Sequence, residues 1–162
     1  MKRTSKLLGI AVLIAVVLVF AGCDNGSTSS SSSSKGNAPS TNGKLTITGI
    51  PSEYNGKYAY AFGWDDDTGD IAVWGAKGAD TSTFVIYGEK VSSGKVTTKV
   101  WEIDEDTDEM SSFNRSGDYG FLVFFFNEET IIPDSTIPAG MGFVFVSFTN
   151  GVGSGAFISD IL

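Results

Sequence analysis

The sequence predicts an all-β protein, specifically an antiparallel β-sandwich of about seven to eight short strands. It contains 20 Gly and 12 Phe in 162 residues, with many Val, Thr and Ser, and this composition favours strands and turns over helices. From residue 44 onward, several segments have apolar residues at every second position. No stretch of this region has the 3.6-residue apolar period of an amphipathic helix. We therefore expect little helix in the folded domain.

The strand pattern occurs in eight segments, separated by clusters of Gly, Asp, Asn and Ser. They are residues 44–50, 58–64, 71–74, 83–87, 96–103, 119–127, 141–149 and 156–161. Two runs inside these segments, 121–126 and 142–148, are apolar on both faces, unlike a strand with one side in water. The outer face of at least one of them therefore needs cover, either from loops of the same chain or from a partner.

Three connections have the composition of hairpin turns. They are residues 65–70, the Ser92-Ser93-Gly94 segment and the Asn150-Gly151 pair. Asn-Gly is a favoured sequence for the type I′ turn of a two-residue hairpin. Pro133 and Pro138 bracket a longer loop, which fits a crossover between sheets.

The first 22 residues have the pattern of an export signal. Three basic residues precede an uncharged apolar run over residues 7–20, and two small residues stand directly before Cys23, the only cysteine. A helix over residues 7–22 would rise about 24 Å, which is less than the ~30 Å of a hydrocarbon core. The pattern thus predicts a cleaved signal peptide rather than a permanent membrane span.

The small residues before Cys23 resemble the lipobox of bacterial lipoproteins, although Phe20 stands where Leu is usual in that family. The resemblance implies that the signal is cut before Cys23 and that this cysteine is acylated on its thiol and on its new amino group. Two or more acyl chains hold a protein stably on a membrane. The cut would remove three of 11 basic residues and leave 8 against 19 acidic ones, a net charge of −11. The acyl chains, rather than charge, would then hold the protein on an anionic membrane.

Residues 23–43 are predicted to be the lipidated cysteine followed by a disordered tether. The segment contains a serine run at 27–34 and has no apolar periodicity, so it cannot bury enough surface to offset its chain entropy. As a flexible coil it would reach about 25 Å. The predicted organisation is a signal peptide at 1–22, a tether at 23–43 and a β-sandwich domain at 44–162.

Four short motifs of the domain resemble a known group of proteins. They are residues 47–51 (ITGIP), 54–59 (YNGKYA), 116–119 (SGDY) and 148–151 (FTNG). Together they are similar to small β-rich lipoproteins and repeat proteins of treponemal spirochaetes, and the similarity spans residues 45–158. The resemblance implies a location in the cell envelope, at the outer membrane surface or the periplasmic face, and no particular chemistry.

Composition excludes several classes of function. The chain has no histidine, which rules out Ser-His-Asp and Cys-His catalytic sites. A single cysteine rules out a disulfide framework and multi-cysteine zinc sites. A net charge of −8 argues against a nucleic-acid partner. We therefore expect a non-catalytic module with no catalytic residues, displayed at a membrane surface through its lipid anchor, with a protein or glycan as its ligand.

One turn suggests a metal ion. Asp65, Asp67 and Asp70 place three carboxylates in six residues, and oxygen ligands of this kind suit Ca²⁺. The segment departs from the EF-hand pattern, because Gly69 stands where the fifth ligand is expected. A solvated acidic turn is the alternative interpretation, and Ca²⁺ is the only cofactor that the sequence suggests.

Two further functions stay open at this point. The apolar runs 121–126 and 142–148 could make the protein a structural envelope component that self-associates through its Phe-rich strands. The chain also has three tryptophans, Trp64, Trp74 and Trp101. Alternating aromatic residues are more often core or cross-strand pairs, but an exposed one would suit a carbohydrate-binding module.

Overall fold

The computed structural model describes residues 38–65, 72–83, 85–104, 109–133 and 135–159. These residues confirm the all-β prediction, with a single short 3-10 turn at Ser52–Tyr54 among them. The strands are β1 (Gly43–Thr48), β2 (Tyr58–Asp65), β3 (Ala72–Ala76), β4 (Gly78–Asp80), β5 (Val85–Tyr87), β6 (Glu89–Lys90), β7 (Val96–Ile103), β8 (Met110–Ser112), β9 (Gly117–Phe126), β10 (Thr130–Ile131), β11 (Gly140–Thr149) and β12 (Val152–Ile158).

Seven of these strands form a closed barrel, so the prediction of a two-sheet sandwich is wrong. The order around the barrel is β1-β12-β11-β9-β2-β3-β7, and β7 pairs with β1 to close the ring. β1 is paired on both sides, with Thr46 opposite Ser154 of β12 and opposite Thr97 of β7. Period-two alternation shows which residues face a core, but it does not show which strands are neighbours. The sequence pattern of a barrel strand and of a sandwich strand is therefore the same.

The pairing of β1 with β12 is parallel, where an antiparallel arrangement was predicted throughout. The other pairings of the barrel are antiparallel. Parallel neighbours cannot be joined by a hairpin and need a long connection. In this domain, all the residues between β1 and β12 form that connection.

Inward-facing side chains of the barrel strands fill its interior. Small residues of one strand face large residues of another, as the packing of a narrow barrel requires. A Cβ atom on Gly63 of β2 would lie 2.4 Å from the ring of Phe121 on β9, so the glycine makes room for the ring. The threonine of the interior, Thr98, is 3% exposed, and its hydroxyl has no hydrogen-bond partner among the described residues.

Aromatic clusters lie at both ends of the barrel core. At one end Tyr54 stacks on Phe125 with ring centroids 4.1 Å apart. At the other end Phe113 packs edge-to-face on Phe148 at 4.9 Å and on Tyr119 at 5.3 Å. Edge-to-face and stacked pairs of this kind stabilise beyond their buried area, and they close the core where the strands end.

A second, three-stranded sheet packs on the outside of the barrel, in the order β10-β5-β4. Its Ile86 and Ile131 are buried against Trp101 and Phe126 of the barrel. The half-buried residues packed against this second core include Tyr60 and Phe124, and burial raises the pKa of the Tyr60 phenol. The apolar run 121–126 is therefore covered on one face by the barrel core and over part of its outer face by the small sheet.

Residues 38–43, which the sequence analysis assigned to the tether, lie against the barrel. The amide of Ala38 donates to the carbonyl of Ala79 at 2.9 Å, and Trp101 Nε1 donates to the carbonyl of Pro39 at 2.6 Å. The Thr41 hydroxyl donates to the carbonyl of Val100 at 2.6 Å. The tether residues before 38 lie outside the described part of the chain.

In both predicted hairpin turns that the structure describes, the backbone conformation agrees with the turn that the sequence predicts. Asn150 and Gly151 have φ values of +49° and +79°, as a type I′ turn requires. Ser93 and Gly94 have φ values of +51° and +68°. Gly151 is also packed so closely that a Cβ would lie 2.8 Å from the carbonyl oxygen of Phe113.

Replacing Thr41 by Val is expected to lower the free energy of unfolding by about 1–3 kcal/mol. The Thr41 hydroxyl also accepts from the amides of Gly43 at 2.9 Å and Phe113 at 3.2 Å, so the change leaves several backbone groups without their partner. Urea unfolding followed by tryptophan fluorescence measures the loss. The control is Ser40→Ala at an exposed position, and equal losses in both variants would contradict a special role of Thr41.

Candidate functional site

An apolar row crosses the outer face of six barrel strands. Each of its members lies directly opposite the next in the strand register: Trp101, Trp74, Phe62, Leu122, Phe143 and Ile158. The small sheet covers the first end of the row, where Trp101 is 3% exposed, whereas Ile158 at the other end is 42% exposed. The interior of the barrel is filled with side chains, so a binding surface is expected at the exposed end of this outer row rather than inside the barrel.

The outer aromatic patch, as we name it, consists of Trp64, Gly120, Phe143 and Phe145, beside the open end of the row. Gly120 lies opposite Trp64 on one side and Phe145 on the other. A Cβ on Gly120 would lie 3.0 Å from the ring of Trp64 and 3.5 Å from that of Phe145. Both rings therefore approach the bare backbone of Gly120, a position where a side chain would separate them.

The rings of the patch are held in place and stay accessible. Phe143 packs edge-to-face on Trp64, with centroids 6.1 Å apart and planes at 84°, and Trp64 is only partly buried. Phe145 is 56% exposed. A large aromatic side chain that is fixed at its base and open to solvent is typical of a contact surface.

A shallow recess of about 280 Å³ adjoins the patch. Its lining residues are Asp118, Tyr119, Phe145, Val146 and Ser147. Ser147 donates a hydrogen bond from its hydroxyl to the carboxylate of Asp118, and the two residues lie opposite each other on β11 and β9. This pair is two residues along the strands from Phe145 and Gly120, a step of about 7 Å. The recess thus places oxygen acceptors beside an aromatic surface.

Charged groups gather around Tyr119. Arg115 donates to Oε1 of Glu102 from Nε at 2.9 Å and from Nη2 at 2.5 Å, and this hydrogen bonding raises the pKa of the arginine. Burial raises the pKa of the Tyr119 phenol, and the negative charge of Asp65, its neighbour across the strands, raises it further. Half of the Arg115 side chain is exposed, so this pair adds little stability and mainly holds the chain before β9 against β7.

The predicted calcium ligands lie partly outside the described residues. Asp65 ends β2 and lies opposite Tyr119, while Asp67 and Asp70 are not among the residues that the structure describes. Within the described ranges, no three acidic, histidine or cysteine side chains come together as metal ligands would. A calcium site formed by Asp65, Asp67 and Asp70 stays a prediction.

Cys23 and the signal segment also lie outside the described residues, so lipidation stays a prediction. In residues 38–159, apart from the gaps named above, no helix has the length and apolar character needed to cross a membrane.

The three tryptophans have different surroundings. Trp101 and Trp74 belong to the core under the small sheet, as the core interpretation of alternating aromatics predicts, and Trp64 lies in the outer aromatic patch. Sequence reasoning did not single out Phe145, Asp118 or Ser147. The signal for Phe145 was present in the two-sided apolar pattern of 142–148, whereas the pairing of Asp118 with Ser147 needs the register of two strands.

No protein-family model, no curated protein and no solved structure matches the chain.

Raising the pH above about 10 is expected to lower the free energy of unfolding. Tyr119 keeps its proton to a higher pH in the fold than in the unfolded chain. Its stabilising contribution is therefore complete below the unfolded pKa and is lost as the pH rises through the folded one. Urea unfolding between pH 8 and 11 measures this decline, which is expected to be shallower in Tyr119→Phe. The more exposed Tyr87 supplies the control Tyr87→Phe, and an unchanged slope in Tyr119→Phe would contradict the assignment.

Proposed function

We propose that the protein is a non-catalytic lipoprotein of the cell envelope, a binding module whose contact surface is the outer aromatic patch. The observation that carries the proposal is Phe145, which is 56% exposed and shares the bare backbone of Gly120 with Trp64. The interior of the barrel is filled with side chains, so the ligand is bound from outside. The outward face of β9 and β11 is then the working surface of the module.

The sequence before the barrel supports the membrane anchor. The positive, apolar and small-residue segments end at Cys23, the order found in lipoprotein signals, and the short motifs of the domain that resemble treponemal lipoproteins support the same proposal. In the proposal, acyl chains on Cys23 hold the protein in the envelope, and the serine-rich segment after it spaces the barrel from the membrane. The module sits at the outer membrane surface or the periplasmic face.

The absence of histidine from the sequence supports a non-catalytic role, because histidine is the side chain that most often acts as a general acid or base. The recess beside the patch is shallow and open, whereas catalysis favours a site from which water is excluded. These features support binding rather than turnover.

A structural component that self-associates is the second candidate. Phe145 and Met141, which is 54% exposed, lie on the same outward face of β11, and they would form the contact between copies. β9 offers less for such a contact, because Phe124 and Phe126 belong to the core under the small sheet. Assembly through Phe-rich strands would therefore use β11.

Replacing Cys23 by Ala is expected to abolish palmitate incorporation and to move the processed protein from the membrane to the aqueous fraction, because the thiol that carries the acyl chain is gone. Metabolic labelling and detergent phase partition of cells that express each variant measure this. Cys23→Ser is a second variant with the size of the side chain retained. A Cys23→Ala protein that still takes up palmitate would contradict the proposed anchor.

The full chain in detergent micelles is expected to be a monomer over a wide concentration range, because the proposal assigns Phe145 to a ligand rather than to a second copy. Size-exclusion chromatography with light scattering measures the protein mass in the micelle. A concentration-dependent oligomer that Phe145→Ser and Met141→Ser both dissociate, while Ile137→Ser at an exposed position outside β11 does not, would contradict the binding module and favour the structural component.

A further inference from the structure

The aromatic rings of the outer aromatic patch form an apolar surface on which partial charge is unevenly distributed. The face of an aromatic ring carries partial negative charge, so it packs well against C–H groups that bear partial positive charge. The carbon-bound hydrogens on one face of a sugar ring are of this kind. Phe145 is 56% exposed, and it lies beside Trp64 without a side chain between them at Gly120. Phe145 therefore offers an exposed ring on which the flat side of a sugar can pack, with Trp64 at its border.

The polar side of the recess accepts hydrogen bonds. The two oxygens of a carboxylate offer about four lone-pair positions, and Asp118 uses one of them for the Ser147 hydroxyl. Because that hydroxyl points its proton at Asp118, it shows lone pairs to a ligand. A ligand that fits here brings several donors, and hydroxyl groups are the simplest donors that carry no charge.

The charge and the spacing of the lining residues narrow the choice of ligand further. The recess lining contains a carboxylate and no basic residue, in a chain of net charge −8, so an anionic ligand would be repelled. An ammonium ligand would be attracted to Asp118 and to an aromatic face. However, the aromatic surface and the Asp118–Ser147 pair are separated by about 7 Å along the strands. A hydroxylated ring spans this step more fully than a single ammonium group, and choline is included in the test as the competing cation.

We propose that the outer aromatic patch and the adjoining recess form a subsite for an uncharged sugar ring of a glycan. The ring stacks on Phe145 and Trp64, and its hydroxyl groups donate to Asp118 and Ser147. This inference rests on the proposed function and names its ligand class. Binding is weak for one ring, since the subsite is shallow, and a glycan with several rings gains from contacts along the row that leads to Ile158.

The test uses the full chain in micelles of lauryldimethylamine oxide, a detergent without a sugar headgroup. The probes are the neutral hexasaccharides of cellulose, amylose, laminarin, mannan and chitin, together with oligogalacturonate as the anion and choline as the cation. Isothermal titration calorimetry measures binding. At least one neutral hexasaccharide is expected to bind saturably, and neither oligogalacturonate nor choline is expected to bind.

Three variants place the binding in the structure. Phe145→Ala removes half of the platform, and Gly120→Ala keeps both rings but pushes Trp64 away from its position. Each is expected to weaken binding about tenfold or more. Met141→Ala is the matched control, because Met141 lies on the same face of β11 and is 54% exposed, outside the patch. Circular dichroism and thermal unfolding check that each variant is folded.

The outcomes separate the subsite from the proposed function. Failure of all five neutral hexasaccharides to bind, or binding of choline alone, overturns the sugar subsite. Binding that persists unchanged in folded Phe145→Ala also overturns it, because the sugar would then lie elsewhere. If no neutral hexasaccharide binds and the protein is an acylated monomer, the binding module stands and only its ligand class is wrong. Sugar binding that is unchanged in Phe145→Ala also removes the outer aromatic patch as the contact surface of the proposed function.

Discussion

The double pairing of β1 is the constraint on which the rest of the structure depends. β1 forms a parallel ladder with β12 and an antiparallel ladder with β7, so the sheet has no edge at either side of it. In a barrel, closure removes the exposed edges that an open sheet must protect. It also brings the start and the end of the domain together, since the Lys44 amide donates to the carbonyl of Gly151 at 2.8 Å.

Closure determines where a ligand can be bound. A barrel of seven strands is narrow, and its inward side chains fill it. The proposed binding function therefore uses the outer face of the barrel, where polar side chains are expected to meet water. In this protein the outer face of β2, β9 and β11 is aromatic instead, and the small sheet covers only part of it. Gly120 matters in this context because two outward rings, Trp64 and Phe145, approach its backbone from opposite sides.

Local patterns in the sequence predicted the elements better than their arrangement. The predicted strands at 119–127 and 141–149 correspond to β9 (Gly117–Phe126) and β11 (Gly140–Thr149). The turn at Asn150-Gly151 could be predicted because both residues readily adopt positive φ. The partners of β1 have no local signal, because Thr46 meets Thr97 and Ser154 across more than 50 residues in each case. The same holds for Asp118 and Ser147 of the recess. The alternation of apolar residues shows which face of a strand is apolar, whereas only the strand register shows which residues come together in the site.

Residue-resolved amide hydrogen exchange in β1 tests the closure of the barrel most directly. Successive amides of a strand point to opposite neighbours, and the Lys44 amide points toward the β12 side. The barrel predicts slow exchange at all four amides from Lys44 to Ile47, since both ladders protect them. Slow exchange at Lys44 and Thr46 with fast exchange at Leu45 and Ile47 would show an open edge toward β7. That result would contradict the closed barrel and, with it, the assignment of binding to its outer face.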